Sequence, residues 1–179
     1  MNRLKEKYIK EVVPAMKKEF GYRNDAETPR IQKIVVNSGV GRVSGDQKAI
    51  ESVERGLTLI TGQKAILTLA RTSIATFKLR EGTPIGVKVT LRGERMYSFL
   101  DRLVSTALPR TRDFHGIGTK GIDQAGNLTI GIKEDIVFPE ASHEKAGNIF
   151  GFEVTIVTNS GDRKAAEYMF RMMGVPLKK

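Results

Sequence analysis

The segment GVKVTLR, residues 86–92, alternates strictly between apolar and polar side chains. Successive side chains of a β-strand point to opposite faces, so the apolar residues of this segment share one side. Lys88, Thr90 and Arg92 then share the other side. The pattern predicts a strand that packs one face against a core and leaves the other face open.

The remaining elements follow in the order αβαββαββα, and no helix separates the strands of two successive pairs. Such pairs argue against a doubly wound parallel sheet. The sequence therefore predicts one α+β domain over residues 1–179. It has an antiparallel sheet of about five strands, helices packed on one face and a projecting basic loop. The predicted helices are 3–20, 46–61, 94–108 and 162–173, and the predicted strands are 31–37, 64–70, 86–92, 127–132 and 150–158.

Three residues are expected to shape the helix ends. Pro14 is expected to kink or end the first helix, because proline lacks the N–H that a helix interior needs. Gly62 suits the end of the second helix, and Pro109 is expected to close the third.

Positive charge is concentrated in the middle of the chain, which supplies most of the net charge of +10. Residues 62–112 contain ten Lys and Arg against three Asp and Glu, a net charge of +7. A concentrated basic zone is typical of proteins that bind a polyanion such as RNA or DNA. The alternative is a solvated basic surface without a nucleic-acid partner.

The composition argues against several other kinds of site. The chain has no cysteine, which excludes disulfides, zinc–thiolate sites and cysteine nucleophiles, and fits a reducing cytoplasm. No apolar run reaches the ~18 residues of a membrane span, and the charged N-terminus lacks a signal-peptide core. His115 and His143 lack partners at metal-binding spacing, and Glu94 and Asp101 stand beside arginines, which indicates surface ion pairs. We therefore expect no catalytic residue, metal or membrane partner, and no cofactor apart from the nucleotide alternative considered next.

Two glycine-rich segments are similar to nucleotide-binding loops. GIGTKG, residues 116–121, matches the dinucleotide pattern GxGxxG but lacks a strand before it and a helix after it. NSGVGRVSG, residues 37–45, does lie between a predicted strand and a predicted helix. Arg71, after the next strand, would suit a 2′-phosphate. An NADP-type binding domain therefore stays open as the alternative function, and calorimetry with the cofactor would distinguish it.

Polar residues on two predicted strands indicate a binding face. Lys33 and Asn37 alternate along the first strand as the polar residues of 86–92 do. If these strands share a sheet, Lys and Arg can meet phosphates while short polar groups reach 2′-hydroxyls. The strands carry no aromatic platform for stacked bases, so we expect contact with folded RNA. Core or loop anchors, rather than stacking platforms, are expected at Phe77, Phe99, Phe114 and Phe138. The alternative is a solvated sheet face.

Longer segments carry a family resemblance. TGQKAILTLARTSIATFKLREGTPIGVKVTLRGERMYSFLDRLV, residues 61–104, closely resembles the bacterial type of large-subunit ribosomal protein L5, which carries 5S rRNA. The resemblance covers nearly the whole chain and is densest in FKLREGTPIGVKVTLRG, residues 77–93. It continues in VVNSGVG (35–41), LPRTRDFHG (108–116), GNLTIGIKEDIVFPE (126–140) and GFEVTIVTNSGDRKAAEYMFRMMGVP (151–176).

This resemblance implies a non-catalytic protein of the cytoplasmic large ribosomal subunit, with an antiparallel sheet covered by helices on one side. It implies docking on 5S rRNA in the central protuberance, with 23S rRNA and other central-protuberance proteins as further partners. Residues 71–84 resemble a loop that approaches the elbow of P-site tRNA. Residues 110–120 and 134–140 resemble the parts that face the small-subunit head protein S13 and form an intersubunit bridge.

Each expected contact has its own set of residues. The strand pattern indicates Lys33 for 5S rRNA, and the resemblance adds Asn37, Gln63, Thr68, Lys88, Thr90 and Arg92. For tRNA, the resemblance implies Arg71, Thr72, Ser73, Lys78, Arg80 and Gly82. For the intersubunit bridge, it implies Arg110, Arg112, His115, Lys120 and Glu134.

The chain departs from the family pattern at several positions. Ala65 stands where the family usually has proline, and His115 stands where it often has arginine. IDQAGNL, residues 122–128, replaces an aromatic-containing stretch, and ASHEKAGNI, residues 141–149, replaces a more acidic one. These changes cluster in the bridge-facing half, so they affect the details of the bridge contact and leave the RNA assignment unchanged.

Overall fold

The computed structural model describes residues 2–43, 45–77, 79–142 and 149–178 of the 179-residue chain. Its strands are β1 Ile31–Gly39, β2 Ile66–Leu69, β3 Pro84–Leu91, β4 Leu128–Ile132 and β5 Phe152–Thr158. They form one antiparallel sheet in the order β2-β3-β1-β5-β4. The predicted α+β class with a five-stranded antiparallel sheet is confirmed.

The longer helices lie where the sequence predicts them. Helix α1 covers residues 3–20, α2 covers Gln47–Thr61, α3 covers residues 93–110 and α5 covers Arg163–Met172. The four-residue helix α4, Pro139–Ser142, lies between β4 and β5 and was not predicted. None of the described helices combines the length and the apolar character that crossing a membrane requires.

The chain forms two compact units. Unit 1 comprises residues 1–34, 91–130 and 155–179, and unit 2 comprises residues 35–90 and 131–154. Unit 1 therefore contains α1, α3 and α5, whereas unit 2 contains α2, α4 and all of β2. The expectation of a single RNA-binding domain over 1–179 stays a prediction.

The alternation predicted for β3 is present. Val87, Val89 and Leu91 are at most 1% exposed, whereas Lys88 is exposed and Thr90 is half-buried. On β1, alternation runs from residue 33: Ile34, Val36 and Ser38 are buried, whereas Lys33 and Val35 are half-buried and Asn37 is exposed. Each strand therefore has one core face and one accessible face.

Helix α2 adds further buried apolar side chains to unit 2. Asp46 caps its N-terminus, where the carboxylate accepts the N–H groups of Lys48 and Ala49 at 3.0 and 3.2 Å. Gly62 ends the helix with φ of +68°, as the sequence predicts for a glycine that adopts the left-handed conformation without strain. The apolar side chains that the helix buries are Ala49, Ile50, Val53, Leu57 and Ile60.

Pro14 and Pro109 do not end their helices. A π-helical turn precedes each of them, Tyr8–Val12 in α1 and Leu103–Ala107 in α3. Proline lacks an N–H, and its ring clashes with the carbonyl four residues earlier. The wider turn shifts the hydrogen bonds to the carbonyl five residues back, which lets the helical backbone continue past the proline. The expected stop at Pro109 is therefore wrong, because α3 continues to Arg110.

Helix α1 is anchored within unit 1 by two side chains. The Tyr8 hydroxyl donates to the carbonyl of Pro29 at 2.8 Å, and burial raises the pKa of Tyr8 to about 12. The guanidinium of Arg3 contacts the Asp101 carboxylate at 2.7 Å. Asp101 is therefore part of a surface ion pair, as expected, and its partner comes from a different helix.

Gly56 allows the Phe150 ring to pack closely against α2. A Cβ atom at position 56 would lie 2.7 Å from Cε1 of Phe150, well inside the ~3.5–4.0 Å optimum for two carbon atoms. We expect Gly56→Ala to lower the free energy of unfolding by about 1–3 kcal/mol through overpacking. Denaturant unfolding of the two proteins measures the difference.

The same change in a Phe150→Ala background provides the control. With the ring removed, alanine in the helix interior is expected to raise the free energy of unfolding by up to about 1 kcal/mol, because alanine favours helix more than glycine does. Equal effects of Gly56→Ala in both backgrounds would contradict the contact.

Candidate nucleic-acid interface

The accessible side of the sheet in unit 2 carries predicted RNA contacts from three strands. Asn37 of β1 and Lys88 of β3 are exposed, and Thr68 of β2 and Thr90 of β3 are half-buried. β2 pairs antiparallel with β3, and this register places Thr68 opposite Gly86. Residues separated by up to 53 positions in the sequence are thereby brought onto one surface.

Gly86 is the point at which two of these side chains meet. A Cβ atom at position 86 would lie 2.5 Å from Oγ1 of Thr68 and 3.5 Å from Oδ1 of Asn37. The missing side chain therefore leaves room for Thr68 Oγ1, and Asn37 Oδ1 lies at an ordinary contact distance from the same point. Gly86 was not among the predicted contacts, although a glycine inside a strand is a sign of close approach.

Gln63 ties the turn between α2 and β2 to β3. Its side-chain amide donates to the carbonyl of Thr90 at 3.0 Å, so this predicted RNA contact also positions the strand. The neighbouring N–H of Ala65 donates to Oγ1 of Thr58 at 3.1 Å, a bond that a proline at this position could not make. The departure from the family pattern at Ala65 thus has a local structural role.

The predicted projecting loop, residues 71–84, forms a hairpin extension of β2 and β3. We call residues 70–83, between the two strands, the arm. At its base, the N–H of Ala70 donates to the carbonyl of Thr83 at 2.8 Å. Farther out, Ile74 and Leu79 exchange two backbone hydrogen bonds of 2.9 and 3.1 Å. These bonds give the arm a defined course. The predicted tRNA contacts that the structure describes are exposed along it: Arg71, Thr72, Ser73, Arg80 and Gly82.

Phe77, on the arm, is 76% exposed at the end of the 3-10 turn Ala75–Phe77. The next residue, Lys78, is also a predicted tRNA contact and lies outside the described residues. The expectation that Phe77 is a core or loop anchor is therefore wrong, because the hairpin directs the arm away from the core. The polar residues on either side of Phe77 in the sequence, Thr76 and Lys78, are the sequence signal for this exposure.

Two predicted 5S rRNA contacts belong to unit 1. Lys33 is half-buried on β1. Arg92 is exposed and immediately precedes α3, with an extended backbone at φ of −139°. A partner that binds unit 1 could therefore reach the side chains of Lys33 and Arg92.

Four predicted bridge residues are exposed on unit 1: Arg110, Arg112, His115 and Lys120. The C-terminal residues hold the segment that carries them. The N–H of Ile117 donates to the carbonyl of Pro176 at 2.8 Å, and the carbonyl of Ile117 accepts the N–H of Lys178 at 2.8 Å. The left-handed backbone of Gly116, with φ of +90°, lets the segment turn beside these residues. The course of this loop therefore depends on the C-terminus of the chain.

The fifth predicted bridge residue, Glu134, is half-buried in unit 2 beside a buried acid, Asp135. The Asp135 carboxylate accepts the N–H of Phe150 at 3.3 Å. Burial raises the pKa of Asp135, the Phe150 bond partly opposes this shift, and the charge of Glu134 adds to it. A buried carboxyl group thus lies next to the proposed bridge residue and was not identified from the sequence.

The described parts of the two glycine-rich segments lack the features of nucleotide sites. GIGTKG, residues 116–121, ends in the 3-10 turn Thr119–Gly121 and has no helix after it. Residues 37–45, of which Ser44 lies outside the described part, do connect β1 to α2. However, the Asp46 carboxylate already accepts two N–H groups at the start of α2, where a phosphate would bind. The antiparallel sheet also differs from the parallel βαβ unit of dinucleotide-binding domains, which argues against the NADP-type alternative.

The described residues contain no candidate metal site. Within residues 2–43, 45–77, 79–142 and 149–178, no group of three or more His, Asp and Glu side chains could hold a metal ion. His143 lies outside these ranges.

Comparison with known families gives two matches. The family described as ribosomal protein L5 matches residues 24–80. The family described as the C-terminus of ribosomal protein L5 matches residues 84–177, more than half of the chain. The matched ranges include β1, β2, β3 and most of the arm.

Asp135 and Asp123 are expected to affect stability in opposite ways as pH changes. Burial raises the pKa of Asp135, so its ionised form destabilises the fold above its usual pKa of 3.8. Asn127 donates its side-chain and backbone N–H groups to Asp123 at 2.8 Å, which lowers the pKa of Asp123 and stabilises the fold above 3.8.

We therefore expect Asp135→Asn to unfold at higher denaturant concentration than the native protein at pH 7. This advantage should shrink as the pH falls towards 4, because native Asp135 then becomes neutral. Asp123→Asn, the matched control, should be less stable than the native protein at pH 7 and 5.5, and this deficit should shrink at pH 4, because ionised Asp123 stabilises the fold only above its usual pKa. Denaturant unfolding at pH 7, 5.5 and 4 tests both, and an Asp135→Asn effect independent of pH would contradict the assignment.

Proposed function

We propose, because this chain belongs to the ribosomal protein L5 family, that its accessible sheet face in unit 2 is a contact surface for 5S rRNA. The chain is a structural protein of the large ribosomal subunit that binds 5S rRNA, and proteins of this family reside in the cytoplasmic ribosome. Such proteins are generally not enzymes. The proposal concerns which residues make the contact and what each contributes.

The placement of Thr68 Oγ1 and Asn37 Oδ1 beside Gly86 on one accessible face is the observation that carries this proposal. Neutral oxygen atoms on such a face can hydrogen-bond to 2′-hydroxyls and base edges of a folded RNA. The exposed Lys88 on the same face supplies a positive charge for a phosphate. Lys33, Gln63, Thr90 and Arg92 keep their predicted roles as further 5S rRNA contacts.

The arm is proposed to contact the elbow of P-site tRNA. Support comes from its ordered hairpin, which extends Arg71 and Arg80 beyond the sheet. Thr72, Ser73, Lys78 and Gly82 are included from the family resemblance. Because guanidinium groups bind phosphates strongly, Arg71 and Arg80 would act as an electrostatic guide for the tRNA backbone.

The loop at 110–120 and the region beginning at Glu134 are proposed to contribute to an intersubunit bridge with S13. Support comes from the exposure of Arg110, Arg112, His115 and Lys120 on a segment that the C-terminus holds in place. 23S rRNA and other central-protuberance proteins are proposed as further neighbours. The partners in this proposal are identified by the family resemblance.

Lys88→Ala tests the 5S rRNA face. Loss of one phosphate contact is expected to flatten the slope of log affinity against log salt concentration by about 0.7–0.9. The measurement is 5S rRNA binding by filter retention over a range of salt concentrations. Lys48→Ala is the matched control, because Lys48 is exposed at the start of α2 and outside the predicted contacts. An unchanged slope for Lys88→Ala would place Lys88 outside the interface.

The double variant Arg71→Ala, Arg80→Ala tests the arm. We expect its affinity for 5S rRNA to stay within about twofold of the native value, because the sheet face is intact. Ribosomes that carry it should release P-site tRNA several-fold faster, since two phosphate contacts are lost. Dissociation of labelled tRNA from purified ribosomes measures this rate. If the variant instead lost 5S rRNA binding, the arm would belong to the 5S rRNA surface.

A further inference from the structure

Exposed apolar side chains are concentrated on the β2–β3 hairpin of unit 2. Of the eleven large apolar side chains that are exposed in the described part of the chain, six lie in this hairpin: Ile66, Leu67, Leu69, Ile74, Phe77 and Ile85. Single exposed apolar residues are normal, whereas several on one element are a feature of interaction sites, and those of β2 lie on both sides of the strand. Neither the proposed 5S rRNA contact nor the proposed tRNA contact requires aliphatic side chains on β2.

β2 is also the edge strand, next to β3 alone in the sheet order. An edge strand presents a row of backbone N–H and C=O groups with which another strand can pair. Natural edges are often protected by lysine, proline or a bulge. β2 has a register shift between Thr68 and Leu69, but its sequence ILTL contains neither lysine nor proline. Ile66 and Leu69, at the two ends of β2, are 63% and 53% exposed, so a partner strand could reach both residues.

The surrounding charge selects the kind of partner. Residues 64–88 contain five Lys and Arg and one acidic residue, a net charge of +4. A second copy of this chain would bring the same positive charge to the same edge and be repelled. RNA would match the charge but would leave the aliphatic side chains and the backbone groups of β2 without suitable partners. A peptide with acidic and apolar residues matches the charge, the apolar side chains and the backbone.

We propose that β2 binds an extended acidic and apolar segment of a protein partner, which joins the sheet as an added strand. Its backbone pairs with the open edge, and its apolar side chains contact Ile66, Leu67 and Leu69. Its carboxylates face Lys64 and the exposed Arg71 at the two ends of β2. Strand addition occurs in the plane of the sheet, so the face that carries Lys88 remains open to RNA.

A synthetic peptide of eight alternating valine and glutamate residues is a suitable probe for the full-length protein. We expect saturable binding by fluorescence anisotropy, and at least tenfold slower hydrogen exchange of backbone amides in 66–69, because strand pairing protects amides. The matched peptide of valine and lysine should not bind. Binding of the acidic peptide without protection of β2 would overturn strand addition.

The double variant Leu67→Thr, Leu69→Thr removes two of the three proposed apolar contacts and keeps residues that favour strands. We expect it to bind the acidic peptide at least tenfold more weakly. Leu59→Thr is the matched control, because Leu59 is exposed on α2, and it should bind normally. Equal binding by all three proteins would overturn the proposal.

Two further results would assign the edge to a different partner. Sedimentation equilibrium that shows a dimer of the native protein, and a monomer of the double variant, would make the edge a self-association surface. Protection of residues 66–69 by a short RNA duplex, with none by the acidic peptide, would make it part of the RNA surface. Either result overturns the proposal, whereas a monomer whose β2 is protected by the acidic peptide alone supports it.

Discussion

The two-residue period of β3 is the constraint on which the rest of unit 2 depends. Val87 and Val89 are withdrawn from water, so the alternation directs Lys88 and Thr90 to the opposite face. A register slip of one residue would bury the lysine and expose the valines, which costs both apolar burial and the desolvation of a charge. The core and the proposed binding face are therefore fixed by the same register.

Features with local causes could be predicted from the sequence. The alternation of β3 and the helix end at Gly62 depend on neighbouring residues, and the structure confirms both. The importance of Gly86 could not be predicted in the same way, because it depends on Thr68 and Asn37 from two other strands. Strand order and register, which bring these three together, are not contained in the pattern of any single strand.

Two errors have the same origin. Pro109 was expected to stop α3, since proline disrupts a regular α-helix, but a π-helical turn before it removes the clash. Phe77 was expected to be an anchor, since phenylalanine is usually buried, but the hydrogen-bonded hairpin carries it away from the core. In both cases a general preference of the residue type was overridden by the backbone conformation around it.

The proposed 5S rRNA face separates affinity from discrimination. Phosphate contacts by groups such as Lys88 add affinity for any RNA and weaken with salt, because they release condensed counterions. Thr68 Oγ1 and Asn37 Oδ1 are neutral and both lie near Gly86, so in the proposed contact their hydrogen bonds would form only with groups of matching geometry. Under this proposal, shape complementarity to 5S rRNA is carried by residues that contribute nothing to the net charge. Gly86 would contribute to recognition by leaving room for the Thr68 hydroxyl on the same face.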